Sequence, residues 1–326
     1  MMTVAVRIHE IGGPEVLKLE DVTLGAPGKG EVKVRHTAIG LNFIDTYFRS
    51  GLYPAPQGLP FIPGNEAAGV VEDVGESVTE LKVGDRVAYA SALGSYCEAR
   101  VMPLAPLVKI PDGISDETAA AMMLKGMTAR YLLRQTYAVK PGDTILVQAA
   151  AGGVGLILCQ WASHIGATVI GTVGSEEKGA LTRANGATHV INYSTENFVE
   201  RVKEITKGAL CDVVYDGVGQ ATYPASLDCI KPRGLFASFG NASGAIKDFS
   251  LLALSQKGSL YATRPTLFTH IATRDALLAN AADLFDAVRS GAVTIPINQR
   301  YKLADAAQAH RDLEARKTTG STILLP

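Results

Sequence analysis

Charge is scarce in this sequence. Lys, Arg, Asp and Glu make up 19% of its 326 residues, below the roughly 25% of an average soluble protein. The 31 basic side chains are matched by 32 acidic ones, which leaves no general basic surface for nucleic acid. Cysteine is scarcer still. Four lie far apart, at positions 97, 159, 211 and 229, too few and too scattered to staple a small secreted fold, so buried reduced thiols are expected. Neither Cys-x-x-Cys nor His-Glu-x-x-His occurs, nor any other metal-ligand spacing, which argues against structural zinc. Gly-x-Ser-x-Gly is missing as well, and with it the nucleophile elbow of a serine hydrolase. No apolar run approaches the roughly 18 residues that a membrane-spanning helix needs. The opening Met1-Met2-Thr3-Val4-Ala5-Val6-Arg7 has no basic stretch followed by an apolar core, so a secretion signal is not expected and a cytoplasmic location is. What the chain has is apolar mass, 47% of its residues. At ~150 residues per domain its length suggests two folded domains, and disorder is excluded as the dominant state.

The texture changes along the chain. Over the first hundred residues short alternating stretches read as strands: 31–35, 17–20 and 85–89. Gly and Pro punctuate them, at Gly12-Gly13-Pro14, Pro27-Gly28-Lys29-Gly30 and Val83-Gly84-Asp85, a rhythm that suggests a barrel or sandwich. From about residue 125 strands alternate with helices. The nearly unbroken apolar run 144–148 suits a central parallel strand covered on both faces. A helix at 156–165, a strand at 168–173, a helix capped by Ser175 and a strand at 189–191 follow. A helix over 198–206 and strands at 212–215, 234–239 and 259–262 complete the series. This is the pattern of an α/β, doubly wound parallel sheet. Past Pro265 come amphipathic helices at 275–289 and 304–314 and a terminal strand at 321–325. Some sixty residues are too few for a third core, so the tail is expected to return to the first domain. The expected division is 1–124 with 265–326 as the substrate domain and 125–264 as the nucleotide domain.

Between the first parallel strand and its helix lies Ala149-Ala150-Ala151-Gly152-Gly153-Val154-Gly155. Against Gly-x-Gly-x-x-Gly, Ala150 stands at the first position, and Gly152 and Gly155 at the second and third. Gly152 and Gly153 let the backbone approach a pyrophosphate held by the helix N-terminus, and Gly155 permits close helix–strand contact. The plainer alternative is a tight turn without a ligand, but six strands in this rhythm favour a dinucleotide. The second strand ends in Gly174, where an NAD-specific site carries a carboxylate for the ribose. Ser175 offers a hydroxyl there and Lys178 a cation, so NADPH is the expected cofactor. Each also has a plain reading, Ser175 as a helix cap and Lys178 as a solvated charge, while Glu176 and Glu177 must point outward.

The sequence resembles the medium-chain dehydrogenase/reductase superfamily, and within it the NADPH-dependent quinone oxidoreductases related to zeta-crystallin. The residues that carry the resemblance are Gly12-Gly13-Pro14-Glu15-Val16-Leu17, Gly40-Leu41-Asn42-Phe43-Ile44-Asp45, Arg49-Ser50-Gly51-Leu52-Tyr53-Pro54 and Pro63-Gly64-Asn65-Glu66-Ala67-Ala68-Gly69. Val83-Gly84-Asp85-Arg86-Val87, the 149–155 turn, Val214-Tyr215-Asp216-Gly217-Val218-Gly219 and Ser238-Phe239-Gly240-Asn241 extend it over essentially the whole chain. It implies a GroES-like, β-barrel-type catalytic domain beside a Rossmann domain, an acceptor bound next to the nicotinamide in the cleft between them, and a homodimer. It further implies that Ser175, Lys178, Tyr193 and Arg316 gather around the 2′-phosphate. Asn42, Tyr47, Thr128, Phe239 and Arg264, with Ser238 and Gly240 of the fifth-strand motif, would line the cofactor channel. Where relatives that oxidise alcohols hold catalytic zinc, this chain has Asn42 and Asn65, and no cysteine lies near 126–128. Amides are poor zinc ligands, so a zinc-independent reaction is expected.

A quinone is electron-poor enough to accept a hydride without a metal, provided that the nicotinamide is held against it. Asn42, Tyr47 and Tyr53 are the candidate donors to the carbonyl oxygen as charge develops there. Asp45 is expected to order its loop, and Lys125 is a further candidate. The same fold and cofactor would equally serve reduction of an enone or 2-alkenal double bond. Relatives also include a lens crystallin and proteins that bind AU-rich RNA, a role for which the charge balance and the lack of an aromatic-rich strand give no support.

Overall fold

The structure, a computed structural model, describes residues 2–326. Its chain divides into two compact units. One takes the chain up to Met127 together with Ile271–Phe285 and Ile295–Pro326, and the other comprises Thr128–His270 and Asp286–Thr294. Residues 265–270 and 286–294 thus group with the nucleotide unit rather than with the substrate unit, and local contacts explain why. The His270 ring stacks on Tyr131 at 4.3 Å and meets Gln135 Oε1 at 2.9 Å. Thr294 donates from its amide and hydroxyl to Gln160 Oε1, at 2.7 and 2.9 Å, and accepts from Gln160 Nε2 at 3.0 Å.

In the second unit six parallel strands form one sheet: Thr144–Val147, Thr168–Val173, His189–Asn192, Cys211–Asp216, Ile230–Ser238 and Tyr261–Thr263. Their spatial order is third, second, first, fourth, fifth, sixth, that of a dinucleotide-binding fold with a switch point between the first and fourth strands. Every residue of Cys211–Asp216 is buried, as a parallel strand covered on both faces requires. Leu146, Ile170, Ile191, Val214 and Phe236 form the core beneath the helices. The fifth strand begins at Ile230, before the expected 234, and a register shift against Cys211–Asp216 absorbs the left-handed Arg233 (φ 63°). Ser259, expected to open the sixth strand, is itself left-handed (φ 55°), so pairing starts only at Tyr261.

In the first unit Glu31–Leu41 is the hub. It pairs antiparallel with Glu66–Val74, Ala99–Pro103 and the terminal strand Ser321–Leu325, which in turn runs parallel to Ile297–Lys302. Arg86–Ala90 and Val108–Lys109 extend the sheet, and Met2–Ile8 forms a separate ribbon with Leu17–Thr23. Val32, Val34, Ile39, Val71, Val87, Tyr89, Leu107 and Leu324 fill the core. The four cysteines are free and buried, and desolvation pushes the thiols of Cys97, Cys159 and Cys229 up to about 12. No helix among the described residues is long and apolar enough to cross a membrane.

Candidate cofactor and active site

At the switch point the first strand turns through Ala149, held left-handed (φ 55°), into the helix Gly153–Ile165. The extended Gly152 precedes that helix and no side chain caps it. A helix N-terminus without a cap leaves its first amides and its dipole for an anion. The two glycines of the turn differ in kind. A Cβ on Gly155 would lie 2.5 Å from the Ala149 carbonyl and 2.7 Å from that of Ala150, whereas one on Gly152 would meet only Ala149 O, at 3.3 Å. Gly155 is required by the fold, whereas a Cβ at Gly152 would press on a single carbonyl. Gly153 and Val154 open the helix beside it.

Around the end of the second strand the structure gathers Gly174, Ser175, Lys178 and Tyr193. The Tyr193 amide donates to Val173 O at 3.0 Å, and a Cβ on Gly174 would lie 2.7 Å from the Tyr193 hydroxyl. A carboxylate-bearing residue would not fit at 174 without displacing that phenol. Ser175 Oγ accepts from the Lys178 amide at 3.3 Å and so does cap the helix Glu176–Ala184. Its own proton remains a donor, so the capping and binding roles are compatible. Glu176 and Glu177 are exposed, and Glu176 Oε1 is engaged by Asn192 Nδ2 at 3.2 Å. A glycine under a phenol, followed by a serine hydroxyl, leaves no carboxylate at the strand end to repel a 2′-phosphate.

At the fifth strand, Ser238, Phe239 and Gly240 pack on the loop that follows Cys211–Asp216. The Phe239 amide donates to Asp216 O at 2.8 Å, and a Cβ on Gly240 would strike Gly217 O at 2.4 Å. Arg264 reaches the same place, its Nη1 donating to Ser238 O at 2.9 Å. Thr128 is buried near the end of the helix Asp116–Tyr131.

The other candidates belong to the first unit. Asn42 caps the helix Phe43–Arg49, and its amide donates to Asp45 Oδ2 at 2.9 Å. Its side-chain Nδ2 donates to Glu66 Oε2 at 2.8 Å and faces Gly40 O at 3.5 Å. Glu66, fully buried, also accepts from Lys125 Nζ at 3.0 Å and from the Leu124 amide at 2.7 Å. The donor group of Asn42 and the Lys125 ammonium are therefore both engaged by a carboxylate. Asn65 Nδ2 donates to Asp45 Oδ1 at 2.9 Å. Tyr47 and Tyr53 adjoin each other, ring centroids 5.3 Å apart and edge to face. Arg316 lies past the helix Ala306–Glu314.

Two polar networks went unremarked in the sequence. In the first unit Arg49 forms a two-pronged ion pair with Glu314, at 3.0 and 2.6 Å, and donates to His310 Nδ1 at 3.0 Å. Since an arginine only donates, the His310 proton sits on Nε2 and faces Tyr96 Oη at 3.0 Å, and Tyr96 donates to Asp45 Oδ2 at 3.1 Å. Burial raises Asp45 to about 6 against its hydrogen bonds from Asn65, Asn42 and Tyr96, while burial and then Arg49 lower His310 to about 3. In the second unit Gln148 and Asp216 anchor a chain of buried hydrogen bonds. Their signal is a polar residue directly after an apolar run, Gln148 after 145–147 and Asp216 after 213–215.

Among the described residues no group of three or more His, Cys, Asp or Glu could hold a metal ion. Asn42 and Asn65, at the expected zinc positions, spend their donors on Glu66 and Asp45, an arrangement that does not fit zinc.

Residues 28–140 match the alcohol dehydrogenase GroES-like domain, and residues 153–285 match a family described as zinc-binding dehydrogenase. The chain is 57% identical to a quinone oxidoreductase of Pseudomonas aeruginosa, with 100% of each chain covered. It is 46% identical to a 2-haloacrylate reductase of a Burkholderia species, covering 100% of this chain and 99% of the relative. The crystal structure of Escherichia coli quinone oxidoreductase complexed with NADPH superposes with a TM-score of 0.97 at 49% identity, covering 99% of this chain and 100% of that one.

Proposed function

Because the chain belongs to the quinone oxidoreductases of the medium-chain dehydrogenase/reductase superfamily, we propose that it reduces quinones with NADPH and needs no catalytic zinc ion. The observation that carries the reading is the end of the second strand. There Gly174 lies under the Tyr193 hydroxyl, beside Ser175 and Lys178, in a chain whose full length matches quinone oxidoreductases. NADPH held there would supply a hydride, and one proton from water would complete the hydroquinone.

The roles proposed for the chain's own residues rest on the family resemblance and on their chemistry. Gly152, Gly153 and Val154 present backbone to the pyrophosphate. Ser175, Lys178, Tyr193 and Arg316 meet the 2′-phosphate with hydroxyls and cations. Ser238, Phe239, Gly240, Arg264, Thr128, Asn42 and Tyr47 hold the rest of the dinucleotide. Because the Asn42 amide group donates to Glu66, the role of donor to the quinone oxygen passes to the phenols of Tyr47 and Tyr53, and Asn42 contributes its oxygen as an acceptor. Zinc independence is supported by the amides at 42 and 65 and their commitment to carboxylates.

A homodimer is part of this reading. Tyr261–Thr263 ends the sheet with an open edge, and Leu251, Leu252 and Tyr261 are 77%, 64% and 64% exposed. Unpaired edges and exposed apolar side chains favour a second copy, which sedimentation velocity would detect. A cytoplasmic location accords with the reduced thiols.

Steady-state turnover with NADPH and NADH against 1,4-quinones is the test. NADPH should be preferred and 1,4-quinones turned over; NADH preference or inert quinones would overturn the reading. Similarity to a 2-haloacrylate reductase favours a second acceptor class, activated carbon–carbon double bonds, so 2-alkenals and 2-haloacrylate belong in the same panel. Tyr53→Phe should lower kcat about tenfold, the effect of one lost hydrogen bond to a developing charge, and leave the NADPH Kd unchanged. Unaltered kcat would remove Tyr53 from the site.

A further inference from the structure

Dinucleotide-binding sheets are built of two mononucleotide halves that meet at the switch point. In this protein a single file of buried side chains crosses that point. Thr172, on the second strand, donates from Oγ1 to Gln148 Oε1 at 2.5 Å. Gln148, one residue past the first strand, donates from Nε2 to Ser226 Oγ at 3.1 Å. Ser226, in the turn Ala225–Cys229, donates to Asp216 Oδ2 at 2.9 Å. Asp216 ends the fourth strand. Its Oδ2 also takes the Thr222 hydroxyl at 2.7 Å, and its Oδ1 takes the amides of Val218 and Gly219 at 2.8 and 2.9 Å. Thr172, Gln148, Ser226 and Asp216 are each no more than 2% exposed.

Chemistry fixes the direction of this file. Asp216 accepts at both oxygens, from two amides and the Thr222 hydroxyl, and Ser226 spends its one proton there too. Ser226 must then accept from the amide nitrogen of Gln148, which leaves the Gln148 oxygen for Thr172. Donors aligned head to tail reinforce one another, and in a dry interior a broken link leaves a buried group unpaired.

What the file holds is the binding edge itself. Thr172 is two residues before Gly174 and three before Ser175. Gln148 precedes the glycine turn and is tied by its backbone amide to Tyr215 O at 3.0 Å. Asp216 pins the 217–219 loop, on which Phe239, Gly240 and Ser243 are seated. We infer that Gln148, Thr172, Ser226 and Asp216 are positioning residues that set the distance between the adenosine-side and nicotinamide-side halves of the site. The inference rests on NADPH binding by this unit and adds to it a prediction about bridging.

A ligand that spans both halves should feel a break in the file, and one confined to a single half should not. Gln148→Met removes both hydrogen bonds at nearly constant volume, and Ser226→Ala removes the central link with the smaller disturbance, in case the first variant does not fold. Titration calorimetry of the whole protein with NADPH, NADH and adenosine 2′,5′-bisphosphate reads the effect. NADPH and NADH should weaken by the same factor, about five- to tenfold for one or two lost hydrogen bonds, while the bisphosphate stays within twofold of its original Kd. Unchanged NADPH affinity, or a bisphosphate that weakens as much as NADPH, would overturn the inference and leave the cofactor assignment standing. Failure of the unsubstituted protein to bind NADPH would overturn both.

Discussion

At Arg316 the backbone works against the side chain. The helix Ala306–Glu314 closes with the Lys317 amide donating to Asp312 O at 3.0 Å and the Arg316 amide to Leu313 O at 3.1 Å. That pattern puts residue 316 in the left-handed conformation (φ 58°) where glycine is the usual occupant. An L-residue there costs about 1 kcal/mol. A cation kept at such a position points to a use for the guanidinium, and on the function proposed above that use would be the 2′-phosphate. Arg316→Gly should therefore raise the stability of the fold by about 1 kcal/mol and weaken NADPH about tenfold through one lost charge-assisted contact, leaving NADH unaffected. Denaturant titration and nucleotide titration on the same sample check both halves; a variant that loses stability and keeps its NADPH affinity would refute the argument.

At the scale of the element, the glycine turn and its helix separate folding from binding within four residues. Gly152→Ala meets one carbonyl at 3.3 Å and can fold, but its methyl group enters the space argued for the pyrophosphate. NADPH and NADH should both weaken more than tenfold, since the backbone can no longer approach the ligand closely. Gly155→Ala drives a methyl group into two carbonyls at 2.5 and 2.7 Å, and the expected result is a large loss of stability, read by thermal melting, of the order of 3 kcal/mol. Equal melting temperatures for the two variants would contradict this division. These elements were legible because local sequence decides them: unbroken apolar strands, a Gly-rich turn, helices closed by glycine. Ser321–Leu325 is a strand with the expected bounds for that reason. The left-handed Arg233 and Ser259 were not legible, because nothing in an arginine or a serine announces a positive φ, and the fifth and sixth strands shifted accordingly. Tyr193 was assigned to the 2′-phosphate only by resemblance, and its place beside Gly174 was not legible, as contact between neighbouring parallel strands leaves no periodic trace. The Asn42–Glu66–Lys125 and Arg49–His310–Tyr96–Asp45 networks join residues up to 265 positions apart, and no spacing rule reaches so far.

For the whole molecule, 31 basic and 32 acidic side chains leave little net charge at pH 7, and a few buried groups contribute to the response to acid. Burial, opposed by the hydrogen bond to Cys97 O, lowers His36 to about 4, and burial with Arg49 lowers His310 to about 3, both from 6.5. Below pH 6.5 the unfolded chain binds these protons and the folded chain does not, so the stability they contribute above 6.5 is lost as pH falls toward their folded values. Asp45 acts in the opposite sense. Raised from 3.8 to about 6, it favours the folded state in acid, and that contribution disappears as pH rises through 6. Burial, with Arg130, lowers His270 as well, so between pH 4 and 6 the lowered histidines outweigh the one raised carboxyl and the net slope is a loss of stability on acidification. His310→Gln tests the arithmetic, because a glutamine can accept from Arg49 and donate to Tyr96 without titrating. The slope across pH 4–6 should become shallower in the variant, since His36 and His270 are then opposed by Asp45 without the contribution of His310. Urea unfolding followed by circular dichroism at pH 4.5, 5.5 and 6.5 measures it, and a variant as acid-sensitive as the parent would show that His310 is not one of the groups that set the response.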